Sequence, residues 1–179
     1  MNAATDTAHD LKELIDGDVV TGTETRAFYS HDASLFEIKP ELVVFPKDAT
    51  DVCKLVEYVV RHKKTSAGLS LTGRSGGTDM SGGAINDSII VAFERYFTDV
   101  GQVEKNQIKS QPGVYYRDLE PKTLSEGLLM PSYPASRELC MVGGMVANNA
   151  GGEKSLVYGK TDRYIEQLKV VLSDGKEHT

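Results

Sequence analysis

The sequence predicts an α+β fold of two lobes, a small βαβ lobe followed by a lobe with a second, mixed sheet. Two observations predict it. A short apolar run, an amphipathic stretch with helical spacing and a second apolar run follow one another between Pro40 and Thr72, the pattern of a βαβ unit. After Tyr96 new strand and helix signals begin, and the length of 179 residues suits one domain or two small lobes. The predicted division is a helical lead-in at residues 1–37, a first lobe at 38–96 and a second lobe at 97–179.

The first lobe starts with a predicted buried strand at residues 42–45, bounded by Pro40 and Pro46. Asp48 is predicted to cap the helix that follows, and Asp51 at the third position favours its N-terminus. The residues expected on the face that packs against the sheet are Val52, Leu55, Val56, Val59 and Val60. Further strands are predicted at residues 69–72 and 88–93.

The rest of the chain alternates short periodic stretches with one long irregular segment. Residues 130–159 are rich in Gly, Pro, Asn and Ser, and a long irregular segment inside a compact domain is often functional. The other predicted elements are one or two short helices in residues 8–30, a strand at 108–111, a helix at 115–126 with Leu119 and Leu124 facing inward, and a strand at 165–173 that ends at the turn Asp174-Gly175.

Composition and charge narrow the class of protein. The hydrophobic fraction of 40% and the charged fraction of 26% are typical of a soluble globular protein, and no apolar stretch approaches the ~18 residues of a membrane span. Residues 1–10 lack a secretory signal, so we expect a cytoplasmic protein. The net charge of −6 argues against a nucleic-acid partner. Cys53 and Cys140 are expected to be reduced thiols, and no metal site is predicted.

A first glycine cluster, residues 72–83, follows the second predicted strand. Glycine permits positive φ and removes the Cβ atom, so that consecutive backbone N–H groups can converge on phosphate oxygens. Ser75, Thr78 and Ser81 add hydroxyl donors. Arg74 either supplies positive charge to a bound anion or braces the loop from behind.

Two familiar nucleotide loops do not match this cluster. A Walker A loop needs Lys and then Ser or Thr after its last glycine, whereas Gly83 is followed by Ala84-Ile85. A dinucleotide-binding fingerprint leads into a helix, whereas here a strand is predicted to follow. A glycine-rich hairpin without a ligand remains an alternative on these residues alone.

A second cluster of glycine and small residues carries a family resemblance. It contains Pro-x-Ser at 134–136, Gly-Gly-x-x-Ala-x-Asn-x-Gly-Gly at 143–152 and Tyr-Gly at 158–159. Three further motifs agree with it: the strand that ends in Val44-Phe45-Pro46, the Arg-x-x-Gly-Thr loop at 74–78 and the closing Val-Leu-x-Asp-Gly at 171–175. Together they resemble the PCMH-type FAD-binding domain of vanillyl-alcohol-oxidase-type flavoenzymes. The chain resembles most the glycolate oxidase and D-lactate dehydrogenase branch, over roughly residues 38 to 175.

The resemblance implies a set of FAD-binding residues. Those that would cradle the pyrophosphate are Arg74, Ser75, Gly76, Gly77, Thr78, Asp79, Met80 and Ser81. Those that would line the extended cofactor are Pro134, Ala135, Ser136, Gly143 and Gly144. Those that would lie near the ribityl chain or the isoalloxazine ring are Asn149, Ala150, Gly151 and Gly152, with Tyr158 and Gly159 closing that wall.

Two positions of the first loop depart from patterns in the family. Some relatives tether FAD through a histidine that follows Arg-Ser-Gly-Gly, and Thr78 stands at that place here. We therefore expect FAD to be bound non-covalently. Asp79 stands where this branch usually has glycine, and its carboxylate would repel a pyrophosphate unless the side chain turns away.

The resemblance also implies a function, the oxidation of a 2-hydroxyacid such as D-lactate or glycolate. Relatives cover the flavin with a substrate-binding cap, so a chain that stops at Thr179 is expected to be truncated before the cap domain. We assign no catalytic residue. A non-catalytic flavin-binding module, one subunit of a split enzyme and an inactive fragment remain alternatives. Self-association through an apolar edge is expected to involve Leu168, Val170, Val171 and Leu172.

Overall fold

The computed structural model describes residues 3–179, which divide into two compact units. The first unit holds the described residues up to Arg74, residues 80–92 and residues 167–179, and the second unit holds residues 75–79 and 93–166. Met1 and Asn2, part of the predicted lead-in, lie outside the described residues. The units differ from the predicted division, because residues 167–179 group with the first unit and residues 75–79 and 93–96 group with the second.

The helices and strands are short and alternate along the chain. The helices are α1 (Ala3–Leu14), α2 (Thr23–Phe28), α3 (Ala49–His62), α4 (Tyr116–Leu124), α5 (Val142–Ala147) and α6 (Ser155–Tyr158), with a 3-10 helix at Thr161–Tyr164. The strands are β1 (Asp18–Val20), β2 (Leu42–Phe45), β3 (Leu71–Arg74), β4 (Ile89–Ala92), β5 (Val100–Glu104), β6 (Gln107–Ser110), β7 (Val170–Val171) and β8 (Glu177–His178).

The first unit is built on a four-stranded sheet of order β1-β2-β4-β3. β4 lies parallel to both β2 and β3, and β1 pairs antiparallel with β2. All residues of β2 and β4 are buried, as expected for the inner strands of a parallel sheet, which read as continuous apolar runs. The sequence therefore predicts these strands well, although β4, the later strand, lies between β2 and β3.

The N-terminus of α3 is capped as predicted. The Asp48 carboxylate accepts hydrogen bonds from the backbone amides of Thr50 and Asp51, at 2.8 and 3.1 Å. Leu55 is fully buried on the inner face of the helix, whereas Val60, expected on the same face, is 53% exposed. Val60 is the last apolar residue before the charged end of the helix, and the helical turn carries it out of the buried stripe.

Asp51 does more than favour the start of α3. Its side chain is 1% exposed and accepts hydrogen bonds from the backbone amides of Asp16, Gly17 and Lys47, at 3.0, 2.9 and 2.8 Å. The carboxylate thus holds the turn before β1 against the end of β2. β1 itself, three residues long, was not predicted.

Several predicted elements of the second half are corrected. The predicted strand at 165–173 is ordered as a strand only at Val170–Val171, where it pairs with β8 across a turn with Gly175 at φ 74°. The irregular segment at 130–159 contains the short helices α5 and α6. Leu119 is buried as predicted, but Leu124 is 52% exposed because it lies in the last turn of α4.

The second unit has its own core, formed around α4 and the segment that follows it. Its buried members are Val114, Tyr116, Leu119, Tyr133, Cys140, Met145 and Ala150. The β5–β6 hairpin, of which only β6 was predicted, turns at Lys105 and Asn106 with φ of 50° and 64°, the positive values that a tight hairpin turn requires. This core fixes the backbone of residues 130–152, which includes the predicted cofactor residues from Pro134 to Gly152.

Candidate cofactor site

Arg74 ends β3 and points into the first unit. Its side chain is 7% exposed, its guanidinium carbon lies 5.1 Å from the centre of the Tyr29 ring, and Nη1 donates to the carbonyl oxygen of Ala84 at 3.3 Å. Burial lowers the pKa of the Arg74 guanidinium, while the charge of Asp32 raises it. Of the two roles that the sequence leaves open for Arg74, these contacts favour bracing the loop from behind.

Residues of the first glycine cluster pack directly on the second cluster within the second unit. The Ser75 hydroxyl donates to the carbonyl oxygen of Pro112 at 3.1 Å, and the Gly143 amide donates to the same oxygen at 2.9 Å. A Cβ atom added to Gly76 would lie 2.7 Å from the carbonyl oxygen of Leu139. The close backbone approach of the two segments therefore requires glycine at Gly76, independently of any ligand.

Gly144 and Gly77 differ from Gly76 in what glycine provides at their positions. A Cβ atom on Gly144 would have the Cβ atom of Ser75 at 3.6 Å as its nearest neighbour, an ordinary van der Waals contact. Packing inside the protein therefore does not explain glycine at Gly144, although glycine in a helix interior costs about 1 kcal/mol relative to alanine. Gly77 has φ 63°, a conformation in which neighbouring N–H groups can converge. Bare backbone at both positions fits a long phosphate-containing cofactor.

Residues 149–152 follow α5, and the chain turns at Asn149. Asn149 has φ 44°, and its side-chain oxygen accepts a hydrogen bond from the Asp162 amide at 3.0 Å. The Gly152 amide donates to the Ser155 hydroxyl at 2.8 Å, and a Cβ atom on Gly152 would collide with the carbonyl oxygen of Tyr133. The predicted residues of this turn thus lie against the segment that leads to Pro134–Ser136.

Thr161 holds this turn and was not among the predicted site residues. It is 1% exposed, and both its hydroxyl and its amide donate to the carbonyl oxygen of Ala150, at 2.8 and 3.0 Å. Its hydroxyl oxygen also lies 3.4 Å from that of Ser132, which is buried. No local pattern marks such a residue, because its partners lie 11 and 29 positions away.

Other predicted residues range from half-buried to exposed. Tyr158 is 49% exposed, its carbonyl oxygen accepts from the Tyr164 hydroxyl at 2.8 Å, and Gly159 follows with φ 85°. Thr78 and Asp79 are half-buried in the second unit. Met80 and Ser81 belong to the first unit, and Met80 is 81% exposed.

Residues 3–179 contain neither a metal-binding cluster nor a membrane-spanning helix. No group of three or more His, Cys, Asp and Glu side chains in this range is placed to hold a metal ion. Within the same range, every helix is too short or too polar to cross a membrane.

A family model described as an FAD binding domain matches residues 40–179. The chain is 29% identical to a D-2-hydroxyglutarate dehydrogenase of Haemophilus influenzae, over 90% of this chain and 16% of that protein. It is 27% identical to the glycolate oxidase subunit GlcD of Bacillus subtilis, over 84% of this chain and 32% of that protein. A D-lactate dehydrogenase of Archaeoglobus fulgidus is 30% identical, over 75% of this chain and 30% of that protein.

Solved structures share the fold. A chitooligosaccharide oxidase matches 99% of this chain and 36% of its own, with a TM-score of 0.76 at 19% identity. The 6-hydroxy-D-nicotine oxidase of Arthrobacter nicotinovorans matches 92% of this chain and 35% of its own, with a TM-score of 0.74 at 23% identity. The predicted fold class and the predicted resemblance are confirmed. The chain spans between 16% and 36% of the length of these proteins.

Proposed function

Since the chain belongs to the FAD binding domain family, we propose that it holds FAD non-covalently through its two glycine segments. The observation that carries the proposal is the packing of residues 75–76 against residues 139–144, with Gly144 left bare although no neighbour requires it. Backbone donors at residues 75–79 would bind the pyrophosphate. The segments at 134–136 and 149–152 would line the rest of the cofactor.

The sequence of the first loop supports a non-covalent link. Thr78 offers no ring nitrogen for a bond to the flavin, and the histidines at positions 9, 31, 62 and 178 lie outside both glycine clusters. Thr78 provides a neutral hydroxyl donor, whereas the Ser75 hydroxyl already donates to the carbonyl oxygen of Pro112. The phosphates would therefore be held mainly by backbone N–H groups. All of the cofactor residues named from the sequence stay predictions, including Arg74, Met80 and Ser81, which belong to the first unit.

The relatives define the proposed reaction class. Curated relatives include D-2-hydroxyglutarate dehydrogenases, a D-lactate dehydrogenase and a glycolate oxidase subunit, so we propose that the chain is the flavin-binding portion of an FAD-dependent enzyme acting on a 2-hydroxyacid. FAD supplies the hydride acceptor for the oxidation of the hydroxyl-bearing carbon. The chain's own contribution is to bind and orient that cofactor.

Titration of the flavin-free chain with FAD tests the proposal. Saturable binding at one FAD per chain is expected, and acid precipitation should release all flavin into the supernatant. Flavin that stays with the precipitated protein would contradict the non-covalent link, and no saturable binding would contradict the proposal as a whole. Anaerobic addition of D-lactate, D-2-hydroxyglutarate or glycolate then separates a catalytic chain, whose flavin colour bleaches, from a flavin-binding module, whose colour remains.

Two further expectations join this proposal. Self-association is supported by the exposed side chains of Leu168, Val170 and Leu172, at 44%, 39% and 50%, whereas Val171 is half-buried. Size-exclusion chromatography over a range of concentrations tests it, and a monomer throughout would contradict it. The cytoplasmic location and the lack of a nucleic-acid partner stay predictions.

A further inference from the structure

A buried carboxylate lies beside the predicted cofactor segment. The Glu120 side chain, in α4, is 10% exposed, and its Oε2 lies 2.6 Å from Nη2 of Arg137. Its Oε1 accepts a hydrogen bond from the Tyr116 hydroxyl at 3.2 Å. Burial, and then the Glu120 charge, raise the pKa of Tyr116, so the hydroxyl stays a donor. A buried carboxylate needs such partners, because an unpaired charge in the core is strongly destabilising.

Arg137 comes directly after Pro134–Ser136 in the chain. Its amide donates to the carbonyl oxygen of Pro134 at 3.0 Å, which closes the segment into a turn. Its guanidinium carbon lies 4.9 Å from the centre of the Tyr133 ring, within the range of a cation–π contact. Tyr133 directly precedes the segment and is buried. One arginine side chain therefore connects both ends of Pro134–Ser136 to α4.

The same network reaches the second predicted segment. The Tyr133 hydroxyl donates to Oε1 of Glu153 at 3.1 Å. Glu153 follows Gly152, whose Cα lies against the carbonyl oxygen of Tyr133 so closely that a Cβ atom would collide with it. A displacement of Arg137 would therefore change the positions of both segments, 134–136 and 149–152.

We propose that Arg137, held by Glu120, is a positioning residue that fixes the segments at 134–136 and 149–152 for the cofactor. This inference rests on the proposed function. Arg137 does not act as a free positive charge for the phosphates, because the Glu120 carboxylate pairs with it at 2.6 Å. The pairing also raises the pKa of Arg137, so its guanidinium stays charged.

The experiment compares FAD affinity of the full chain in three variants. Arg137→Met removes the guanidinium, and Glu120→Gln removes only the charge of its partner. Arg61→Met is the matched control, since Arg61 also pairs with a glutamate, Glu57, at 2.6 Å but belongs to the first unit. Amide hydrogen exchange of residues 130–137 in the flavin-free chain is measured in parallel, with folding checked by circular dichroism.

Arg137→Met and Glu120→Gln are both expected to weaken FAD binding, by about tenfold or more for Arg137→Met. Both should speed hydrogen exchange in residues 130–137, and Arg61→Met should change neither quantity. Glu120→Gln separates a positioning role of Arg137 from a direct attraction to the phosphates. A direct attraction would strengthen FAD binding in this variant, because the competing carboxylate is replaced by a neutral amide.

Unchanged or tighter binding in Glu120→Gln would overturn the inference, as would unchanged binding in a folded Arg137→Met chain. If Arg137→Met does not fold, Glu120→Gln and Arg137→Lys, which keeps the charge but not the planar geometry, carry the same test. Absence of FAD binding by the unaltered chain would overturn the proposed function and this inference together.

Discussion

Gly143 lies so close to Ser75 that a Cβ atom on Gly143 would stand 2.7 Å from the Ser75 hydroxyl oxygen, and 2.8 Å from the carbonyl oxygen of Pro112. The Ser75 residue of the first glycine cluster is thereby packed on the backbone of the second cluster, where a side chain would not fit. Gly143→Ala is expected to destabilise the chain by roughly 1–3 kcal/mol, because the Pro112 backbone cannot move aside easily. Urea unfolding measures this change. Gly68→Ala, where an added Cβ atom meets nothing within 4 Å, is the control, and an equal effect at both positions would contradict the packing described.

Arg74 is expected to contribute to stability rather than to the attraction of phosphate. Arg74→Met removes the contact with Tyr29 and the hydrogen bond to Ala84, and should lower the free energy of unfolding by about 2 kcal/mol. Arg61→Met, which breaks an exposed ion pair with Glu57, should change it by only about 0.5 kcal/mol. The salt dependence of FAD binding should be the same in Arg74→Met as in the unaltered chain. A weaker salt dependence in that variant would show that Arg74 meets the phosphates after all.

Asp48 makes the stability of α3 depend on pH in the acid range. Its hydrogen bonds from the backbone amides of Asp51 and Thr50 lower the pKa of the carboxyl from its ordinary value of 3.8. A folded-state pKa below the unfolded one means that this stabilisation is fully present above the unfolded value and is lost as pH falls through the folded value. Asp48→Asn still caps the helix but carries no charge.

The unaltered chain should therefore exceed Asp48→Asn in stability by about 0.5 kcal/mol near neutral pH. The difference should disappear in strong acid. Thermal unfolding between neutral pH and strong acid measures both chains, and Asp48→Ser, a second neutral cap, should behave like Asp48→Asn. A difference that is constant over this range would rule out the carboxylate as its source.

Thr161 is expected to fix the turn at residues 149–152. Thr161→Val keeps the shape of the side chain and removes the hydroxyl that donates to Ala150, so it should destabilise the chain by about 1 kcal/mol. Thr161→Ser keeps the hydroxyl and should stay closer to the unaltered chain. Urea unfolding measures the free energy of unfolding of both variants. A larger loss of stability in Thr161→Ser than in Thr161→Val would mean that packing of the methyl group, and not the hydrogen bond, stabilises the turn.

Local signals predicted much of the first unit. The strands β2 and β4 are continuous apolar runs, and the cap of α3 follows from Asp48 alone. The second role of Asp51 could not be predicted, since its partners Asp16 and Gly17 lie 35 and 34 positions away. The strand predicted at 165–173 failed because an apolar run does not say whether a partner strand is there to pair with it.

The candidate site, like the fold, could be predicted from the sequence only in part. Glycine clusters and family motifs predicted both candidate cofactor segments, because close backbone approach requires glycines that are visible in the sequence. No sequence pattern identified Arg137, Glu120 or Thr161. Each of them acts through a contact with a residue distant in the chain. Arginine, glutamate and threonine are also common residues with many ordinary roles. The direction of the Arg74 side chain likewise depended on Tyr29, which is 45 positions before it.

The most direct test of cofactor binding is FAD titration of Gly144→Ala beside the unaltered chain. The added methyl group meets no strained contact in the protein, so the flavin-free variant should be as stable as the unaltered chain, or more stable by up to about 1 kcal/mol. Its affinity for FAD should nevertheless fall by about tenfold or more, because the methyl group would occupy the space through which the cofactor approaches the backbone. Binding of FAD by Gly144→Ala as tight as by the unaltered chain would contradict the placement of the cofactor on these two glycine segments.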